Sequence, residues 1–149
     1  MSLTDQAYIQ INQALFTLVH AYEARMAEEA ERNPLDLNLS DCAVLMVMHQ
    51  VAPVNAVELS RIMDINPGTI SVYVQRLVEM GLVQRERDVE DRRRWWLTLT
   101  DLGQMAAQEV IDQAAAYTRD FLSALDEEER ATLHRLLLKA SHDLGFDWQ

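Results

Sequence analysis

Cysteine is nearly absent from this sequence of 149 residues. Cys42 stands alone, which excludes an intrachain disulfide and any multi-cysteine metal site and suits a reducing compartment. Proline and glycine are scarce, three and four residues, so no flexible linker or low-complexity segment is encoded. No apolar run approaches the roughly 20 residues that a membrane span needs, and the N-terminus lacks the basic start and apolar core of a secretory signal. These absences predict an ordered cytoplasmic protein with no membrane partner. P-loop, dinucleotide fingerprint, nucleophile elbow and zinc-protease helix are all missing, which ranks an enzyme far below a binding protein and implies no cofactor. Positive charge is also in short supply: 13 Lys and Arg face 24 Asp and Glu, a net charge of −11. That total argues against nucleic acid, whose binding rests on basic residues neutralising phosphates.

The distribution of charge reverses this argument. Residues 1–59 hold two basic and eight acidic side chains and residues 101–149 hold four and ten, whereas residues 60–100 hold seven and six. Arg85, Arg87, Arg92, Arg93 and Arg94 crowd the end of that middle segment. With 49% hydrophobic residues the chain is long enough to bury a working core, and it reads as one domain, 1–149.

Apolar residues Ile11, Leu15, Leu18 and Tyr22 recur at helical spacing, predicting a long amphipathic helix from Asp5 to Ala30 that Asn33-Pro34 ends. Ser40 reads as the N-cap of a helix running to Val51, with Leu39 and Val44 as its hydrophobic staple. Asn55, with Glu58 three residues on, starts a short helix, and Asn66-Pro67 starts another that stops at Gly81. The period then changes to two, and Val83–Arg87 and Trp95–Leu99 read as a β-hairpin. Thr100 restarts a helix with Leu102, Ala106, Val110, Tyr117 and Phe121 on one face. Asp126 with Glu129 caps a last one carrying Leu133, Leu136, Leu137, Ala140 and Leu144 before Gly145.

Two short helices joined by Asp64-Ile65-Asn66 and followed by a charged hairpin form a device for reading duplex DNA, one helix in the major groove and the hairpin beside it. On the second helix Ile70, Val74 and Leu77 fall on one side. Gly68, Thr69, Ser71, Val72, Gln75 and Arg76 are left available for phosphates or base edges. An ordinary solvated helix and hairpin explain any one of these residues as well; their conjunction favours DNA.

Residues 81–103, GLVQRERDVEDRRRWWLTLTDLG, resemble the wing signature of the multiple-antibiotic-resistance regulators, the MarR family, with Asp91-Arg92-Arg93 at the hairpin tip. The resemblance spans nearly the whole chain, through the acidic-to-leucine pattern of residues 125–138. It implies a mainly α fold with a small β-hairpin wing: a winged helix-turn-helix unit over 40–100, flanked by dimerisation helices in 1–33 and 101–149. It also implies an obligate homodimer on a palindromic operator, released by a small-molecule effector or an oxidant, and a wing in which Asp91 pairs with Arg93 while Arg93 enters the minor groove. Apolar stripes on the first and last helices, too wide for a monomer to cover, argue for the dimer independently.

Sensor candidates are fewer. His20, His49, Trp95 and Trp96 are the ligand-site candidates, against packed or solvated side chains as the alternative. Of Trp95 and Trp96 one ring faces each side of the hairpin. Cys42, in the first turn of its helix, is either a thiolate favoured by the helix terminus or a plain buried thiol, and the second reading is preferred. His134 and His142, about 12 Å apart along one helix, cannot share a metal ion, and Glu127-Glu128-Glu129 is favourable charge at a helix start. The runner-up to a DNA-binding regulator is a winged-helix dimer that binds a protein or small molecule without DNA.

Overall fold

The computed structural model describes residues 4–143, so Leu144 and Gly145, expected to complete the last helix, lie outside the described residues. Six helices and one hairpin follow in the order α1 (Asp5–Arg32), α2 (Leu39–Val51), α3 (Ala56–Met63), α4 (Pro67–Glu79), β1 (Val83–Arg87), β2 (Trp95–Leu99), α5 (Asp101–Phe121) and α6 (Glu127–Asp143). The chain divides into two units, Met1–Ala43 and Val44–Gln149. Among the described residues no helix is long and apolar enough to cross a membrane.

In the first unit, α1 leaves Tyr8, Ile9, Ile11, Leu15, Phe16, Leu18 and Val19 exposed. At 100° per residue they cover about half of the helix circumference. Asn33 stops the helix, its side-chain oxygen accepting the Leu35 N–H at 2.8 Å. The start of α2 departs from expectation. Its N-cap is Asn38 and not Ser40: the Asn38 Oδ1 accepts the Asp41 N–H and the Asp41 Oδ2 accepts the Asn38 N–H, both at 2.9 Å. This reciprocal pair satisfies two end groups at once, which a lone serine hydroxyl two residues later cannot do. The staple positions become Leu37 and Cys42, both buried, while Leu39 is exposed.

The second unit is built on the helix starts and stops. Asn55 Oδ1 accepts from Val57 N and Glu58 N, and Glu58 returns a bond to the Asn55 N–H. Asn66 accepts from Thr69 N, with Pro67 at the first helical position. Thr100 caps α5 through Gly103 N, and Asp126 and Glu129 cap α6 reciprocally at 2.9 Å. Gly81, at φ 72°, ends α4 as Leu82 N bonds Leu77 O and Gly81 N bonds Val78 O. Leu45, Met48, Leu59, Ile70, Val74, Leu77, Leu82, Leu97, Ala107 and Val110 form the core. Helix α5 buries a small-residue face, Gly103, Ala106, Ala107, Val110 and Ala114. Leu102 and Phe121, expected on the inward stripe, are exposed, as are Leu136 and Leu137 of α6.

Candidate nucleic-acid interface

The interface begins at the turn between α3 and α4. Asp64 adopts the left-handed conformation (φ 51°), and Ile65 N reaches Ser60 O while Asp64 N reaches Arg61 O. This is the same double bond pattern that closes α4, made here with aspartate in place of glycine. Buried Ser60 adds a lock: its hydroxyl donates to Ile65 O at 2.6 Å. The angle between the two helices is therefore set by main-chain bonds, and α4 is held with Ile70, Val74 and Leu77 inward.

Of the residues proposed to meet DNA, Gly68, Ser71, Val72 and Gln75 are exposed, whereas Thr69 and Arg76 are half-buried. Ser71 donates to Pro67 O at 2.8 Å, and the Gln75 amide donates to Glu79 Oε1 at 2.9 Å.

The hairpin pairs Val83 with Leu99, Arg85 with Leu97 and Arg87 with Trp95. Arg85, Arg87, Arg92, Arg93, Arg94 and Asp91 are all exposed. Its loop is organised by Asp88, whose Oδ1 accepts from Glu90 N (2.8 Å) and Asp91 N (2.7 Å) and whose Oδ2 accepts from Trp96 Nε1 (2.6 Å). The Asp91 amide, the Trp96 indole and the Glu90 amide hold the Asp88 carboxyl below its ordinary range. Arg94 N donates to Asp91 O, and Asp88 N to Arg94 O, closing the tip. The expected Asp91–Arg93 pairing takes another form. Asp91 Oδ1 accepts the main-chain N–H of Arg93 at 3.0 Å, and no ion pair joins the carboxylate to the guanidinium among the described residues. A two-residue separation brings the amide within reach first, so the carboxylate shapes the turn, and Arg93 remains exposed.

The two indoles take opposite sides of β2. Trp96 is half-buried with Arg94 5.5 Å above its ring, and Trp95 is 46% exposed with its cross-strand neighbour Arg87 at 5.2 Å. Trp95 lines a recess of about 570 Å³ with Val57, Glu58, Arg61 and Arg93, between the start of α3 and the wing. His49, exposed, lines a separate shallow groove of about 750 Å³ with Gln104, Gln108, Glu109 and Asp112. His20 stacks on Phe16, ring centroids 4.3 Å apart. Of the ligand candidates in the second unit, His49 and Trp95 line different recesses, and Trp96 lines neither of these two. Cys42 is buried, and burial, with Asp41 adding to it, pushes its thiol up to about 11. That is the opposite of the activated thiolate considered from its place near a helix start. Among the described residues no cluster of His, Cys, Asp or Glu can hold a metal ion.

Two features escaped the sequence reading. Val54 forms a bridge to Leu97 (Val54 N to Leu97 O 3.2 Å, Leu97 N to Val54 O 2.8 Å), adding a third strand segment that ties the start of α3 to the wing. Asp88 carried a readable signal, an Asx residue two and three positions before the amides it accepts, but its bond to Trp96 spans eight residues and had none.

Two helices locked by a tight turn, with an arginine-rich hairpin bridged to the first of them, define a winged helix-turn-helix protein. The chain is similar to the MarR family, whose family model matches residues 35–94. It is 27% identical over 142 residues to the HTH-type transcriptional repressor MdtR of Bacillus subtilis (strain 168), an alignment covering 95% of this chain and 86% of that protein. Among solved structures it is similar in fold to FabT of Streptococcus pneumoniae in complex with DNA, with a TM-score of 0.81 at 19% identity over 93% of this chain and 97% of that one. A mutant MarR from E. coli complexed with operator DNA gives a TM-score of 0.74 at 23% identity over 93% and 99%.

Proposed function

We propose that this protein is a cytoplasmic, sequence-specific DNA-binding regulator that represses transcription as a homodimer on a palindromic operator and is released by a small-molecule effector. The observation that carries DNA binding is the joining of an exposed stripe on α4 to an arginine-tipped wing through the Val54–Leu97 bridge. α4 enters the major groove, and the tip arginines, Arg93 foremost, reach the adjacent minor groove, whose narrow A·T-rich form attracts guanidinium groups. Arg85, Arg87, Arg92 and Arg94 neutralise flanking phosphates. The MdtR relative, named a repressor, supports repression, and the solved DNA complexes of the same fold support DNA as the partner.

The exposed apolar half of α1 and the exposed leucines of α6 support dimerisation through the terminal helices. Two-fold symmetry then sets the recognition helices about 34 Å apart and calls for an inverted repeat. The net charge of −11 favours a second reading, a winged-helix dimer that binds a protein or small molecule and not DNA. One titration separates them: binding to DNA upstream of the protein's own gene at several salt concentrations. Sequence-dependent affinity that falls steeply with salt supports the proposal, and salt-independent or absent binding supports the alternative.

A further inference from the structure

Gly68, Ser71, Val72 and Gln75 follow at steps of three, one and three, forming one stripe on the side of α4 away from Ile70, Val74 and Leu77. The polar members of this stripe are already engaged within the helix, Ser71 with Pro67 O and Gln75 with Glu79. Gly68 has no side chain to offer. Val72 differs from all of them. It is 66% exposed, it gains nothing from burial, and its β-branch lowers helix propensity. An isopropyl group at the centre of a groove-facing stripe has one complement among the four bases, the C5 methyl of thymine; the other major-groove edges are donors and acceptors.

Building on the assignment of α4 to the major groove, we infer that Val72 is a specificity-determining residue that reads a thymine methyl in each operator half-site. Apolar contact removes both methyl surfaces from water only when thymine occupies that position. Cytosine, guanine or adenine there leaves Val72 against a polar edge.

The test uses the full chain and duplexes selected by it from a randomised library. Each thymine of the selected site is replaced singly by uracil, which deletes the methyl and keeps every hydrogen-bonding group. The expected result is one thymine per half-site at which uracil weakens wild-type binding about fourfold, the value of one buried methyl. Val72→Ala should bind the parent duplex weaker by a similar factor, be indifferent to uracil at that position, and keep the wild-type salt slope. Wild-type affinity unchanged at every uracil, or a Val72→Ala variant that still suffers the full uracil penalty, overturns the inference while leaving DNA binding intact. Failure to select any duplex over random DNA instead overturns the groove assignment of α4 and the inference with it.

Discussion

Gly103 is the residue whose replacement has the most calculable outcome. A Cβ built there would lie 1.9 Å from the Leu82 carbonyl oxygen and 2.9 Å from its carbon, about 1.5 Å short of ordinary contact. The obstacle is backbone, and it is pinned. Leu82 O accepts the Thr100 N–H at 3.0 Å and the Thr100 hydroxyl at 3.3 Å, so it cannot retreat without loosening the cap of α5. Overpacking of this kind costs about 1–3 kcal/mol, and a weakened buried main-chain bond adds about 1 kcal/mol. The better helix propensity of alanine returns about 1 kcal/mol. Gly103→Ala is thus expected to destabilise by about 1–3 kcal/mol and to lower Tm by about 2–12 °C for a chain of this length. The assay is thermal melting by circular dichroism at matched protein concentration, since any dimer makes Tm concentration-dependent. A variant that melts with or above the parent would show that Leu82 and α5 do not approach as described. Because Leu82 leads directly into β1, weaker DNA binding should accompany the loss of stability.

The other predictions concern the wing and the thiol. Arg93→Ala should weaken operator binding and reduce the salt slope by about 0.9 for each phosphate equivalent lost; identical affinity and slope would remove the wing from the mechanism. The Asp88 carboxyl is held below its unfolded value, so its stabilisation of the wing tip is fully present above the ordinary aspartate range and disappears as pH falls through the lowered value. The Trp96 indole proton, followed by NMR during acid titration, should change only below that ordinary range, and a midpoint at or above it would contradict the Asp88–Trp96 bond. Cys42, with its thiol raised from 9.0 to about 11, should react with a disulfide reagent about a hundredfold more slowly at neutral pH than in urea. Its stability contribution falls as pH rises from 9 toward 11. Rapid native labelling, or peroxide-sensitive DNA binding that Cys42→Ser abolishes, would restore a redox role.

Much of the second unit was legible because its helix ends are specified locally. Asn55 with Glu58, Asn66 with Pro67, Thr100, and Asp126 with Glu129 all fall within three residues of the groups they satisfy, and the hairpin strands follow from a period of two. The error at α2 arose between two nearby cap candidates: Ser40 looked suitable alone, but the Asn38–Asp41 pair satisfies both directions. What stayed illegible is non-local. Val54 meets Leu97 across 43 positions, and Trp96 meets Asp88 across a loop whose path no spacing rule predicts. The stripe expected on α5 held at Ala106 and Val110 and failed at its ends for a related reason: close approach selected Gly103 and alanines for burial and turned the larger Leu102 and Phe121 outward.

The Val54–Leu97 bridge has a geometric corollary for the DNA. Because two main-chain bonds rivet the returning strand to the entrance of α3, and α3 is locked to α4, the reading helix and the arginine tip behave as the jaws of a fixed caliper. In the proposed docking, the step from the groove of α4 to the groove of the arginine tip is then a constant of the fold. A base pair inserted between these two points in a half-site breaks the fit, whereas one inserted at the dyad tests only how far two calipers can be spread.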